Sequence, residues 1–290
     1  MTAPSYTNLP KTLSSPPPPV PNVLISFPAH HEHILLVTLN RPKQLNAIPS
    51  PQHFDLEQLW TWYDAEPSLR CAVITGSGRA FCAGQDLKGW DEENKAVAET
   101  AKTPGIRTPP GGFGGLSNRG GKKPVIAAVN GICFGGGMEM AINCDLVIAT
   151  ESATFSLPEV TIGVIALAGA LPRLVRSVGR QRASEMALSG KKYSASEMRA
   201  WGLVNEVTKD GEDVVAAALK WAKLIAGNSP DAVIASREGL KLGWEGVGPQ
   251  QGTELLMTGW YARIERGENY VEGIRSFNER RKPVWKNSKL

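Results

Sequence analysis

The stretch from Lys123 to Ala149, KPVIAAVNGICFGGGMEMAINCDLVIA, leaves the chain few architectures to adopt. An apolar run enters an Asn130-Gly131 turn, three glycines (Gly135, Gly136 and Gly137) open a helical segment around Glu139, and a second apolar run follows. Short runs that are apolar on both faces read as buried strands of a sheet covered by helices. The same reading applies to Ile34 to Leu39, Cys71 to Thr75, Pro124 to Val129, Asp145 to Thr150 and Leu203 to Val207. Helical patterns lie between them, after Pro51, around Glu139, and from Arg182 to a glycine stop at Gly190. This alternation predicts an α/β fold. Beyond about residue 210 the pattern turns wholly helical, with amphipathic segments that need a surface to cover them.

Residues 1–22, with consecutive prolines from Pro16 to Pro19, predict a disordered, poorly packed arm; 23–225 form the core and 226–290 a C-terminal helical region. With 290 residues and 42% hydrophobic side chains, the core needs no disulfide or metal staple. Cys71, Cys82, Cys133 and Cys144 form no C-x-x-C pair and read as reduced thiols. A net charge of +4 is too small to indicate nucleic acid. No apolar stretch reaches the roughly 18 residues of a membrane span, and the start lacks a secretory h-region, so a soluble intracellular protein is expected. The Gly/Pro-rich segment from Thr103 to Gly121 reads as a loop, either disordered or a lid over a site; its GGFGG is not followed by the Lys-Ser/Thr of a phosphate loop. His30, His31 and His33 lack further ligands nearby and read as a solvated loop, so no metal is expected. Ser288, Lys289 and Leu290 spell the S-K-L address of peroxisomal import, and a receptor reading it is an expected partner.

Three stretches carry chemistry. The glycines before Glu139 expose backbone N–H groups at a helix amino end, where unsatisfied donors favour an anion; they also permit close helix packing. Glu139, in the first helical turn, reads either as an acid–base group or as a capping charge. The loop from Gly78 to Leu87, GRAFCAGQDL, can aim a backbone N–H at a carbonyl oxygen. Glu159, after Pro158 among apolar residues, reads either as a general acid or base with a raised pKa or as a loop carboxylate.

In this order and spacing, with LNRPKQLNAI (39–48) ahead of them and GLVNEV behind, these stretches resemble the crotonase, or enoyl-CoA hydratase/isomerase, family from about Ile34 to Lys282. The resemblance implies a spiral of ββα repeats with a C-terminal helical trimerisation region, and an enoyl-CoA hydratase-type lyase with no cofactor beyond the coenzyme A of its substrate. It implies that the backbone N–H groups of Gln85 and Gly136 hold the thioester oxygen. Leu45, Ala83, Asp86, Leu87 and Lys88 would wrap the coenzyme A, with Lys43 at a phosphate. It also implies that Glu139 activates the water attacking C3 while Glu159 exchanges the C2 proton. The alternatives are an isomerase using Glu159 alone and, in a different class, an RNA-binding relative. A dienoyl isomerase needs an acid eight positions after Glu159, where Leu167 stands. Ile165-Ala166-Leu167-Ala168-Gly169-Ala170 replaces the hydratases' usual I-P-G-A-G-G, which raises the expectation that Leu167 narrows the acyl pocket, shifts the water or tunes the substrate. Apolar residues of the helical end, Trp221, Leu224, Ile225, Leu255, Leu256, Trp260 and Tyr261, predict association, and the resemblance implies trimers or hexamers.

Overall fold

The computed structural model describes residues 6–29, 31–100, 108–209 and 211–290, without the side chains of 96–100. Seven strands form one sheet: Tyr6–Thr7 (β1), Val23–Ser26 (β2), Ile34–Leu39 (β3), Cys71–Gly76 (β4), Val125–Val129 (β6), Leu146–Thr150 (β8) and Glu206–Thr208 (β11), in that spatial order. Four shorter strands form a second: Ala80–Cys82 (β5), Ile132–Phe134 (β7), Thr154–Ser156 (β9) and Tyr193–Ser194 (β10). From β3 to β11 the large sheet is parallel, with Val73 opposite Ile126 and Ala127 opposite Val147.

The helices that matter for the site are Ser50–Ala65 (α1), Leu87–Thr100 (α2), Gly136–Asn143 (α3) and Ala170–Val178 (α4). Three times the chain lays a strand in the large sheet, a strand in the small one, and then a helix: β4, β5, α2; β6, β7, α3; β8, β9, α4. This is the expected ββα spiral. The small sheet was not anticipated, because strands of two or three residues are too short to show a period.

Every residue of β4 is buried, and its alternation divides the core. Ala72 and Ile74 join Leu56, Leu59, Trp60 and Tyr63 of α1 on one face. Cys71 and Val73 turn to the other, where Val214, Ala217, Ala218 and Ala222 cover them. Those four belong to α7 (Val214–Ala226), which follows Arg180–Ser189 (α5) and Ala195–Ala200 (α6). The core boundary drawn at 225/226 therefore falls at the end of α7. Pro230–Trp244 (α8) and Glu268–Asn278 lie beyond it.

Three expectations change. The last strand begins at Glu206, not Leu203, because the Asn205 side chain accepts the Val147 N–H while its own N–H bonds the Val147 carbonyl, and Leu203 and Val204 turn into the core. The proline-rich arm does not hang free: over residues 6–22 Tyr6 donates to the Pro17 carbonyl, Ser14 bonds the Glu66 carboxylate, and Val20 is buried. The expected lid is only partly described, since 101–107 lie outside the described residues; its Gly112–Ser117 portion is buried against α1 and is core, not cover.

Candidate active site

Two loops zip together to form one side of the site. Ala83 N–H bonds the Leu45 carbonyl at 3.0 Å, Ile48 N–H the Gly84 carbonyl at 3.0 Å, and Asp86 N–H the Ile48 carbonyl at 3.1 Å. The first loop can bend this sharply because Leu45 and Asn46 are left-handed, with φ of +51° and +58°, and asparagine tolerates that region. Buried Asn46 fixes the bend, donating to the Ser77 and Ala80 carbonyls and accepting from Arg41 N–H. Arg41 in turn pairs with Asp86 at 2.9 Å and bonds the Ala47 carbonyl. Burial acts to raise the Asp86 pKa, but the Arg41 guanidinium together with the Gly89 and Lys88 N–H groups outweighs it and holds the carboxyl below the usual range. Leu45, Ala83, Asp86, Leu87 and Lys88 thus share one rim with exposed Lys43 behind it. The Asp86 carboxylate is engaged by Arg41. Neither Asn46 nor Arg41 was singled out from sequence, where each looks like an ordinary loop residue.

The other side is the amino end of α3. Gly135 has φ +55°, Gly136 starts the helix, and a Cβ on Gly84 would lie 3.2 Å from the Gly136 nitrogen, so the two glycine-bearing loops touch through their backbones. Among the described residues neither the Gln85 nor the Gly136 N–H has a hydrogen-bond acceptor. Two unpaired amides at a loop and a helix start can receive an oxyanion.

The two predicted carboxylates lie near the start of α3, close enough for the charge of Glu159 to act on Glu139. Glu139 N–H bonds the Gly135 carbonyl at 3.0 Å, and Glu159 Oε1 lies 3.2 Å from where a Gly135 Cβ would stand. Glu139 is buried and points away from solvent, which decides against a capping role. Burial pushes its carboxyl up to about 7, the Ala170 and Ala168 N–H groups pull down, and the Glu159 carboxylate pushes up again. Ala168 donates to Glu139 Oε1 at 2.8 Å and Ala170 at 3.3 Å. Sequence reading missed these two amides. The signal available was Gly169, whose φ of +119° opens α4 and turns both N–H groups inward. Glu159 sits in the 3-10 turn Glu159–Ile162; burial raises its carboxyl too, and its Oε2 is buried without a hydrogen-bond partner.

Leu167 leaves the contact of Glu139 with the Ala168 N–H in place. Its side chain is 80% exposed while Ala166 beside it is 7% exposed, so the leucine points out and the glycine it replaces is not needed for the Glu139 contact, which uses Ala168 N–H. His33, of the histidine cluster, bonds the Ser68 carbonyl, and His30 lies outside the described residues. Among the described residues no cluster of three or more His, Cys, Asp or Glu can hold a metal.

A ββα spiral whose two loops present amides and whose two carboxylates face them defines an acyl-CoA enzyme of the crotonase type. The sequence profile of that family, described as enoyl-CoA hydratase/isomerase, matches residues 29–288, and the chain belongs to it. The chain is similar to the mevalonyl-coenzyme A hydratase of Beauveria bassiana, 58% identical over 96% of this chain and 100% of that one. It is 48% identical to the mevalonyl-coenzyme A hydratase of Aspergillus fumigatus, over 94% of this chain and 98% of that one. The crystal structure of an enoyl-CoA hydratase from Mycobacterium tuberculosis superposes with a TM-score of 0.82 at 31% identity, covering 92% of this chain and 100% of that one.

Proposed function

We propose that this lyase reversibly removes water from a 3-hydroxyacyl-CoA, with Glu159 and Glu139 as the acid–base pair and the Gln85 and Gly136 amides holding the enolate. One observation carries the assignment: two carboxylates with raised pKa, Glu139 buried and Glu159 half-buried, lie close enough that the charge of Glu159 raises Glu139, beside two amides without acceptors. In the dehydration direction the Glu159 carboxylate takes the C2 proton, and the C–H pair becomes an enolate whose charge rests on the thioester oxygen between the amides. The enolate then reforms the carbonyl and expels the C3 oxygen, which takes a proton from the Glu139 carboxyl and leaves as water. A Glu139 pKa of about 7 suits this, since the group is available in either form near neutral pH. Proton return from Glu159 to Glu139 through solvent closes the cycle, and hydration runs the same steps backwards. The cycle consists of proton transfers and the breaking or making of one C–O bond, with no net oxidation or reduction, so the proposed steps call for no redox cofactor.

The similarity to two mevalonyl-CoA hydratases supports a branched substrate, a 3-hydroxy-3-methyl thioester with a further hydroxyl on its chain. A tertiary C3 hydroxyl leaves readily once protonated. Leu45, Ala83, Leu87, Lys88 and Lys43 are proposed to contact the coenzyme A, and Asp86 to brace their rim through Arg41.

Assembly and location extend the proposal. Leu240, Met257, Ile274 and Phe277 are largely exposed on the C-terminal helices of the single chain, which supports a trimer or hexamer that covers them. The S-K-L sequence supports import into peroxisomes. Its residues are held by neighbours: Ser288 donates to Asp231 at 2.5 Å and Lys122 donates to a terminal carboxylate oxygen of Leu290 at 2.8 Å. Removing them therefore costs contacts as well as the address.

The reading is tested by following the conjugated-thioester absorbance with mevalonyl-CoA and with straight-chain trans-2-enoyl-CoAs. Fastest turnover on the branched thioester is expected. Turnover confined to 3-enoyl-CoA substrates would replace hydration by isomerisation, and no change with any thioester would remove the assignment.

A further inference from the structure

We propose that His53 is a positioning residue for the oxyanion-holding amides, linking Gln85 to the loop at Gly114; this rests on the hydratase reading above. His53 lies in α1 and is fully buried. Its Nδ1 accepts the Gly114 N–H at 3.0 Å. A backbone N–H can only donate, so Nδ1 carries the lone pair and the ring proton sits on Nε2. Nε2 then donates to Gln85 Oε1 at 2.9 Å. The chain of bonds continues in one direction: Gln85 Nε2 donates to Ser50 Oγ at 3.3 Å, and Ser50 Oγ donates to Glu93 Oε2 at 2.9 Å. Only the neutral imidazole satisfies both ends, and burial lowers the His53 pKa in the same sense.

His53 also reaches the second amide. Its ring packs on Phe113 at a centroid distance of 4.4 Å, and the Phe113 ring fills the space over Gly136, where a Cβ would lie 2.4 Å from it. Gln85 stands between β5 and α2 in a single parallel bridge with Ile48, which holds the peptides on either side of it but leaves its own N–H free, and the His53 bond adds an anchor for its side chain. One imidazole therefore anchors the Gln85 side chain through a hydrogen bond and backs the Phe113 ring that lies over Gly136. A buried histidine that merely satisfied core polar atoms would not bridge both. Displacing either amide by a fraction of an ångström weakens charge stabilisation in the transition state more than binding of the ground state.

The test compares the wild type with His53→Leu, His53→Gln, Gln85→Leu and the double His53→Leu/Gln85→Leu. Turnover is measured together with the absorption band of bound cinnamoyl-CoA, which moves to the red when amide donors polarise its carbonyl. His53→Leu and Gln85→Leu are each expected to lower kcat roughly tenfold to a hundredfold with little change in KM. Each should shrink the red shift, and the double variant should lose no more than the worse single. His53→Gln, which retains an amide donor toward Gln85, should recover part of both signals. Wild-type kcat and red shift in the folded variants, or losses that multiply in the double, overturn the proposal. Should His53→Leu fail to fold, Gln85→Leu leaves the imidazole and Phe113 in place and decides alone. A wild type that neither turns over a thioester nor shifts the chromophore sinks the hydratase reading itself, and this proposal with it.

Discussion

Glu139 Oε1 accepts the N–H of Ala168 at 2.8 Å, a contact between the first turn of α3 and the residue two positions before α4. Two amides hold the carboxyl group, yet burial dominates and its pKa rises to about 7. The folded state therefore binds this proton more tightly than the unfolded chain.

A raised carboxyl pKa contributes stability that is complete below the unfolded value near 4.5 and is lost as pH rises through about 7. Glu139→Gln keeps an acceptor for both amides and removes the titration. Its melting temperature should exceed that of the wild type at pH 8, by a margin on the order of 3 kcal/mol in stability, and the gap should close towards pH 5. A gap that is constant with pH, measured by thermal denaturation, would refute the assignment.

The two glutamates divide the reaction, so their amide variants should differ in kind. Each is expected to lower turnover roughly a hundredfold or more. Glu139→Gln should still exchange the C2 proton of a saturated acyl-CoA with deuterium, whereas Glu159→Gln should not. Exchange by the Glu159 variant at the wild-type rate, followed by NMR, would reverse the roles.

Two glycines should answer the same substitution with opposite signs. A Cβ on Gly137 would stand 2.2 Å from the Cys82 carbonyl oxygen, a backbone atom that cannot swing aside, so Gly137→Ala should cost about 1–3 kcal/mol or more. Gly243, exposed in α8, has nothing within 4 Å of its Cβ position. Gly243→Ala should gain about 0.4–1 kcal/mol by restricting the unfolded chain. Chemical denaturation of both variants checks the pair.

Phe277 is 83% exposed on the last helix and Ile274 lies one turn before it. If these residues meet a neighbour, Ile274→Glu/Phe277→Glu should dissociate the assembly. Light scattering should then give the 31.2 kDa of one chain, against a multiple of that mass for the wild type. A wild type that is already monomeric at micromolar concentration and active would exclude the association.

The sequence by itself determined the parallel strands of the large sheet from β3 to β8, the stop of α5 and both carboxylates, because each leaves a local mark. Cys71–Gly76 is a short apolar run, Gly190 stops α5 with a left-handed φ of +64°, and Glu139 follows three glycines. Other features have no local mark. The strand Ala80–Cys82 is three residues long, and it exists because Ile132–Phe134 lies beside it. Glu139 could be read from sequence as a capping charge until the fold buried it and brought Ala168 and Ala170 to it. His53 was not singled out from the sequence; its meaning lies in Gln85 and Gly114, 32 and 61 positions away. Backbone propensity and hydrophobic period act over a few residues and are legible in order along the chain. Burial, pKa and hydrogen-bond partnership depend on which distant segments the packed core brings together, and only the tertiary structure decides them.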